Sequence, residues 1–206
     1  MKTLLHIIAT PRGNLSNTLK VSAAVVKSFQ EQHPDGRVDA IDLFGENMPP
    51  MTLKATNGKY LLLSGKELDD QTLPAWKPIL AQIQRFLAAE YVLISSPMWN
   101  FGMPYVLKHY FDAIVQPRYL FHYTEKGPEG LATGKKVVVV TSRGGDYSEA
   151  PGKSMDQLEP SLRVMLGFIG IPDPTFINAQ PMLASGPDAA QKKIDQAIAT
   201  ARRLIF

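Results

Sequence analysis

The chain has 206 residues, of which 45% are hydrophobic and 20% charged, with a formal net charge of +3 and a pI near 9.0. This is the composition of an ordinary globular protein with one sizeable core, and it predicts a single domain over residues 1–206. Zero cysteines exclude disulfides, thiolate nucleophiles and cysteine-bound metals, and the 22 basic residues are scattered, which argues against nucleic acid as a partner.

The opening MKTLLHIIATPRG has one lysine and a short apolar run before polar residues, so it reads as a first strand, TLLHIIA (3–9), and not as a signal peptide. With no apolar stretch of membrane-spanning length and no disulfides, a cytoplasmic location without a membrane partner is expected. From Ser16 to about Gln32, the residues Leu15, Leu19, Ala23, Val26 and Gln30 recur at helical spacing. VDAIDL (38–43) is a second strand. Residues 45–75 form the longest excursion, opened by Met48, Pro49 and Pro50, and read as loop plus a short helix. Ile79, Ile83, Phe86 and Leu87 mark a helix before a third strand, YVLISS (91–96). Leu107, Tyr110, Phe111 and Ile114 then follow a helical period, with Pro104 placed at the first turn. KVVVVTS (136–142) has no alternation, as expected of a central strand covered on both faces, and TFINAQ (175–180) is a fifth strand. A last helix carries Ala190, Ile194, Ala197, Ile198, Ala201 and Ile205 on one face. Strands and helices in this alternation predict an open, doubly wound α/β sandwich with a five-stranded parallel sheet and helices on both faces.

Such a sheet binds its ligand beyond the carboxyl ends of the strands, where the strand order reverses. Three segments therefore converge: ATPRGNLSNTL, SPMWNFGMP and TSRGGDYSEAPG. The first supplies Thr10, Ser16, Asn17 and Thr18 around a helix start, where unpaired N–H groups favour a phosphate; Ser16 or Asn14 serves equally as a plain helix cap. Charge-assisted hydrogen bonds contribute roughly 1.5–3 kcal/mol each and micromolar binding needs about 8 kcal/mol, so a phosphate ligand must be gripped elsewhere as well. No G-x-G-x-x-G follows the first strand, which disfavours a resident NAD and favours a mononucleotide. The second segment packs Met98, Trp99 and Phe101 between prolines, an apolar loop in need of a cover. His6, His33, His109 and His122 have no metal-ligand spacing; His6 fits a core histidine and His122 a partly exposed strand residue near the acceptor side.

These motifs resemble, over nearly the whole chain, the FMN-dependent NADH azoreductases or NADH:quinone oxidoreductases of flavodoxin-like fold. The resemblance is carried by ATPRGNLSNT, PMWNF, YTEKGPEGL (123–131), SRGG (142–145) and LGFIGI (166–171), in the family's order. It implies that Thr10, Ser16, Asn17 and Thr18 hold an FMN phosphate. It further implies that Met98, Trp99, Asn100 and Phe101 flank the flavin ring, and that Ser142, Arg143, Gly144 and Gly145 meet its polar edge. Thr10, Thr18 and Trp99 depart from the family's serines and tyrosine; the first two keep a hydroxyl. The implied activity is a ping-pong two-electron reduction of quinones or aromatic azo compounds, with NADH as donor. No catalytic side chain or metal is needed, because the hydride chemistry is the flavin's. Phe101, Tyr123, Tyr147 and Phe168 are expected to bind the acceptor, although Met165, Phe168 and Ile169 at helical spacing also suit a core role for Phe168. The resemblance implies a homodimer with the site at the interface, to which the second subunit contributes Tyr123 and Phe168. A flavodoxin-type electron carrier without a substrate pocket is the alternative; such carriers are usually smaller and acidic.

Overall fold

The aliphatic runs become strands and the periodic segments helices. In the computed structural model, which describes residues 1–206, the strands in chain order are β1 (Thr3–Ile8), β2 (Arg37–Asp42), β3 (Tyr91–Pro97), β4 (Phe121–Thr124), β5 (Gly127–Gly130), β6 (Lys136–Ser142) and β7 (Thr175–Ala179). Five of them form one parallel sheet in the order β2-β1-β3-β6-β7, while β4 and β5 pair as an antiparallel hairpin. The helices are α1 (Asn17–Gln32), α2 (Leu53–Leu63), α3 (Leu73–Leu87), α4 (Tyr105–Ile114), α5 (Leu158–Phe168) and α6 (Gly186–Ala201).

Alternation along each strand divides the core into two layers. Leu5, Ile7, Val92, Ile94, Val137 and Val139 point to the face covered by α3, α4 and α5, where Ile79, Ile83, Phe86, Leu107, Phe111, Leu162 and Leu166 are buried. Leu4, Leu93, Val138 and Val140 point to the other face, against Val21, Val25 and Phe29 of α1 and Ala190, Ile194 and Ala197 of α6. Each such aliphatic side chain contributes about 1.5–3 kcal/mol on burial, and their uninterrupted run in β6 reflects cover on both faces. Strand order reverses between β1 and β3, so the ends of these strands open a crevice, with β6 next to β3.

Several details differ from the sequence pattern. The face of α1 that packs on the sheet is Thr18, Val21, Ser22, Val25 and Phe29; Leu15, Ala23 and Gln30 are exposed. The shift arises because buried hydroxyls on α1 are hydrogen-bonded and so belong to the core: Ser22 Oγ meets Ser95 Oγ at 2.6 Å and donates to the Thr18 carbonyl at 3.0 Å. Leu87 and Ile205 are exposed, Ile205 lying beyond the end of α6. The sequence reading puts His122 on a strand but does not foresee the β4–β5 hairpin. Its strands are four residues each and mostly polar, so no apolar alternation marks them. The hairpin is held by close backbone approach: a Cβ on Gly130 would collide with the main chain of Ile169 and Gly170, and the Ala132 N–H donates to the Ile169 carbonyl at 2.8 Å. The GPEGL and LGFIGI motifs thus brace each other.

Candidate functional site

The β1, β3 and β6 ends meet at one small cavity of about 240 Å³, lined among others by Thr10, Ser16, Asn17, Met98, Trp99, Ser142 and Gly144. At its floor the first turn of α1 presents main-chain N–H groups that have no intrahelical partner. Ser16 is the N-cap, its Oγ accepting from the Leu19 N–H at 3.3 Å, so capping is what this side chain does here. Its hydroxyl hydrogen stays free to donate to an anion. Thr10 is 3% exposed beside it. Thr18 is fully buried and its Oγ1 lies 2.7 Å from Ser142 Oγ, so this predicted pair bonds to itself across α1 and β6.

A polar chain lies behind this cradle. His6 Nε2 lies 2.7 Å from Ser95 Oγ, which lies 2.6 Å from Ser22 Oγ, and Ser22 Oγ also donates to the Thr18 carbonyl at 3.0 Å. Burial lowers the His6 pKa from 6.5 to about 4, so it is a neutral core histidine near pH 7.

The second wall is the turn Trp99-Asn100-Phe101-Gly102, closed by reciprocal backbone hydrogen bonds of 2.9 Å between Trp99 and Gly102. Both central residues have positive φ, 46° at Asn100 and 69° at Phe101, as a two-residue hairpin turn requires. Asparagine tolerates this region; phenylalanine there costs on the order of 1–2 kcal/mol. The strained turn holds Phe101 48% exposed, 6.5 Å edge-on from Tyr147, and Trp99 37% exposed beside Phe44 at 5.7 Å. The Met98 N–H donates to the Ser142 carbonyl at 2.9 Å and joins this wall to the third.

In the third wall Arg143 lines the cavity but its side chain has no exposed surface; its guanidinium is held by Thr141 Oγ1 at 2.7 Å and Asp156 Oδ2 at 2.8 Å. The Gly144 carbonyl accepts from the Leu183 N–H at 2.9 Å, whereas the N–H groups of Gly144 and Gly145 donate to no backbone carbonyl. Neither glycine has positive φ, and a Cβ on either would meet only side-chain atoms, of Leu183 and Tyr147 respectively. At 3.2 Å and 3.3 Å these side chains would have to shift to admit it.

The whole chain is similar to known proteins. Residues 2–205 match the model of a family described as having a flavodoxin-like fold. An FMN-dependent NADH:quinone oxidoreductase of Nitratidesulfovibrio vulgaris is 38% identical over 205 residues, 99% of this chain and 98% of that protein. The chain belongs to the FMN-dependent NADH:quinone oxidoreductase family. Among solved structures, an azoreductase from Bacillus anthracis str. Sterne superposes with a TM-score of 0.87 at 26% identity, covering 99% of this chain and 100% of that one. An FMN-dependent NADH-azoreductase from Bacillus anthracis str. Ames Ancestor in complex with FMN gives a TM-score of 0.86 at 26% identity, covering 98% and 99%.

For a member of this oxidoreductase family, the fit of FMN is tested by the donors. Free N–H groups and a free hydroxyl suit a phosphate, and the Gly144 and Gly145 amides, which donate to no backbone carbonyl, suit the polar edge of a flavin. A cavity of about 240 Å³ is below the roughly 300–1,000 Å³ of enclosed ligand pockets, so it is of a size for the phosphate end of such a group. The residues fit the group.

Of the four predicted acceptor residues, the structure brings Phe101 and Tyr147 together at this site. Tyr123 and Phe168 belong to a second aromatic group centred on Phe121, at 5.7 Å and 4.7 Å from its ring. Phe168 is half-buried, so it is partly core, and it also lines a cleft of about 630 Å³ between α2, α4 and α5. His122 is a partly exposed residue of β4, as expected, with Nε2 3.0 Å from Glu129 Oε2. Arg12, Met182 and Leu183 also line this cavity, with Pro97, one of the prolines that bracket the aromatic loop, and Phe44 lies against Trp99; the sequence reading assigned Arg12, Met182, Leu183 and Phe44 no role. The strand-end rule was signal enough for all of them, since Phe44 follows β2 and Met182 follows β7 just as Thr10 follows β1.

Proposed function

We propose that this protein catalyses the two-electron, NADH-dependent reduction of quinones and aromatic azo compounds with FMN as its tightly bound, non-covalent cofactor. The observation that carries the reading is the crevice at the β1–β3 reversal, where a helix start rich in free donors adjoins the Gly144 and Gly145 amides, which donate to no backbone carbonyl. When bound, FMN supplies the hydride chemistry, ping-pong between NADH and the acceptor.

The protein's part is to bind, orient and exclude water. The end of β1 and the start of α1 hold the phosphate, through the hydroxyls of Thr10 and Ser16 and the main-chain N–H groups of Asn17 and Thr18, and Arg12 adds positive charge. Met98, Trp99, Asn100 and Phe101 line one side of the ring, while the 142–145 turn, through the Gly144 and Gly145 amides, orients its polar edge. Phe101 and Tyr147 offer flat apolar surface to the acceptor. Tyr123 and Phe168 act in the same acceptor site from a second subunit, in a homodimer of single-domain chains. The dimer reading is supported by exposed Tyr60, Tyr105, Tyr123 and Val164 and by adjoining clefts of about 750 and 630 Å³ along α4. No helix is long and apolar enough to cross a membrane, and the absence of cysteine is compatible with the reducing cytoplasm as the site of action.

The test is to purify the protein with added FMN, remove the excess and record the visible spectrum before and after anaerobic NADH. A yellow protein, bleached by NADH and restored by a quinone, is the expected outcome. A colourless protein overturns the flavin reading, and one that NADH leaves yellow assigns it to electron carriage instead.

A further inference from the structure

We propose that Asp156 and Gln157, which lead into α5, are positioning residues that clamp two walls of the cofactor site to each other. The inference rests on the FMN reading above. Asp156 uses both carboxylate oxygens: Oδ2 accepts from the buried Arg143 guanidinium at 2.8 Å, and Oδ1 caps α5 by accepting from the N–H groups of Leu158 at 2.9 Å and Glu159 at 3.2 Å. The next N–H, that of Gln157, donates to the carbonyl of Phe101 at 2.9 Å. One dipeptide thus holds the 142–145 turn by a charge and the 99–102 turn by its main chain.

The two turns are otherwise joined at their bases by the Met98–Ser142 hydrogen bond, which leaves the tip at Phe101 without a tie to β6. Phe101 sits in a strained left-handed conformation, and a fixed donor to its carbonyl, the Gln157 N–H, selects that conformation over relaxed ones. The Arg143–Asp156 pair has the features of a register device and not of a simple stabiliser. Its cation is fully desolvated, its Nε has no partner, and a second carboxylate, Glu159, stands 3.8 Å away. Buried pairs of this kind give little net stability over apolar residues of similar size, so what the pair adds is position. Thr141 Oγ1, which accepts from Arg143 Nη1 and donates to Asn178 Oδ1 at 2.7 Å, fixes the guanidinium plane from the sheet side. A misplacement of about 1 Å at such a site is enough to cost 100-fold in rate.

The test uses the full chain and FMN itself as probe. The double variant Arg143→Met/Asp156→Asn removes both charges and keeps the Asn oxygen as helix cap, so it folds without a buried unpaired ion. It is expected to bind FMN at least tenfold more weakly by fluorescence titration, to alter the visible circular dichroism of bound FMN, and to speed amide exchange at 99–102. Arg143→Lys, which keeps a cation opposite Asp156, is expected to stay within threefold of the wild-type affinity. Wild-type affinity and spectrum in the double variant overturn the proposal, as does a loss in Arg143→Lys equal to that of the double variant. If the unmodified protein binds no FMN, the function proposed above fails, and the clamp is then judged by amide exchange alone: unchanged protection at 99–102 overturns it.

Discussion

The start of α1 and the 99–102 turn border the same cavity, yet they are built on opposite terms. The α1 start is relaxed: Ser16 caps the helix, Thr18 bonds Ser142, and a continuous polar chain from His6 through Ser95 and Ser22 supports it from within. The 99–102 turn holds a phenylalanine at positive φ and leaves two large aromatic side chains uncovered. An anion is recognised by donors that any well-formed helix start already supplies, so that region needs no strain. A flat apolar ring needs exposed apolar surface, which the fold can retain only by holding it out of its own core.

If this contrast is right, disturbing the support under α1 has the largest effect. Burial lowers the His6 pKa to about 4, so below pH 6.5 the unfolded chain takes up a proton that the folded chain refuses. The contribution is intact above pH 6.5, falls by on the order of 3 kcal/mol as pH drops to 4, and levels off below that. Denaturant melts of the wild type and His6→Val across this range check it: the variant's stability should fall less steeply, and parallel curves would show that His6 does not titrate with folding. Next, Ser16→Ala should cost about 1 kcal/mol of stability as a lost cap. It should also weaken FMN binding by more than tenfold, the value of roughly 1.5–3 kcal/mol for a charge-assisted bond; a stability loss with unchanged FMN affinity would reduce Ser16 to a cap alone.

The turn should respond in the opposite direction. Phe101→Gly relieves the left-handed strain and should raise apoprotein stability by about 1 kcal/mol, while kcat/KM for a quinone acceptor falls several-fold. A stability loss would mean that the exposed ring packs usefully in the free protein. The smallest effect is expected for the exposed Arg12: Arg12→Ala should weaken FMN binding by less than 1 kcal/mol, as for surface charges generally, and lessen its dependence on salt. A large loss would place Arg12 in direct, shielded contact with the phosphate.

Periodicity and strand-end logic made much of this legible in the chain. The five sheet strands fall within a residue or two of the aliphatic runs, and Leu107, Tyr110, Phe111 and Ile114 are all buried as their spacing predicts. Helix α1 was misread because apolarity was taken as the sign of burial, whereas Thr18, Ser22 and Ser28 are buried polar residues with partners distant in sequence. The hairpin escaped notice because Gly130 owes its place to the backbone at Gly170, a contact with no periodic signature.

What the sequence by itself determined is the local inventory: which runs make strands, which stretch starts a helix with spare donors, and which loop carries aromatic residues between prolines. These follow from side-chain size, β-branching and backbone donors within a few residues. Only the tertiary structure decided that Arg143 turns inward to Asp156, that Phe101 is held in a left-handed turn, and that Tyr123 and Phe168 lie apart from Phe101 and Tyr147. Those outcomes depend on which groups meet across the sheet ends, and burial makes each meeting a choice between a partner and an unpaired charge.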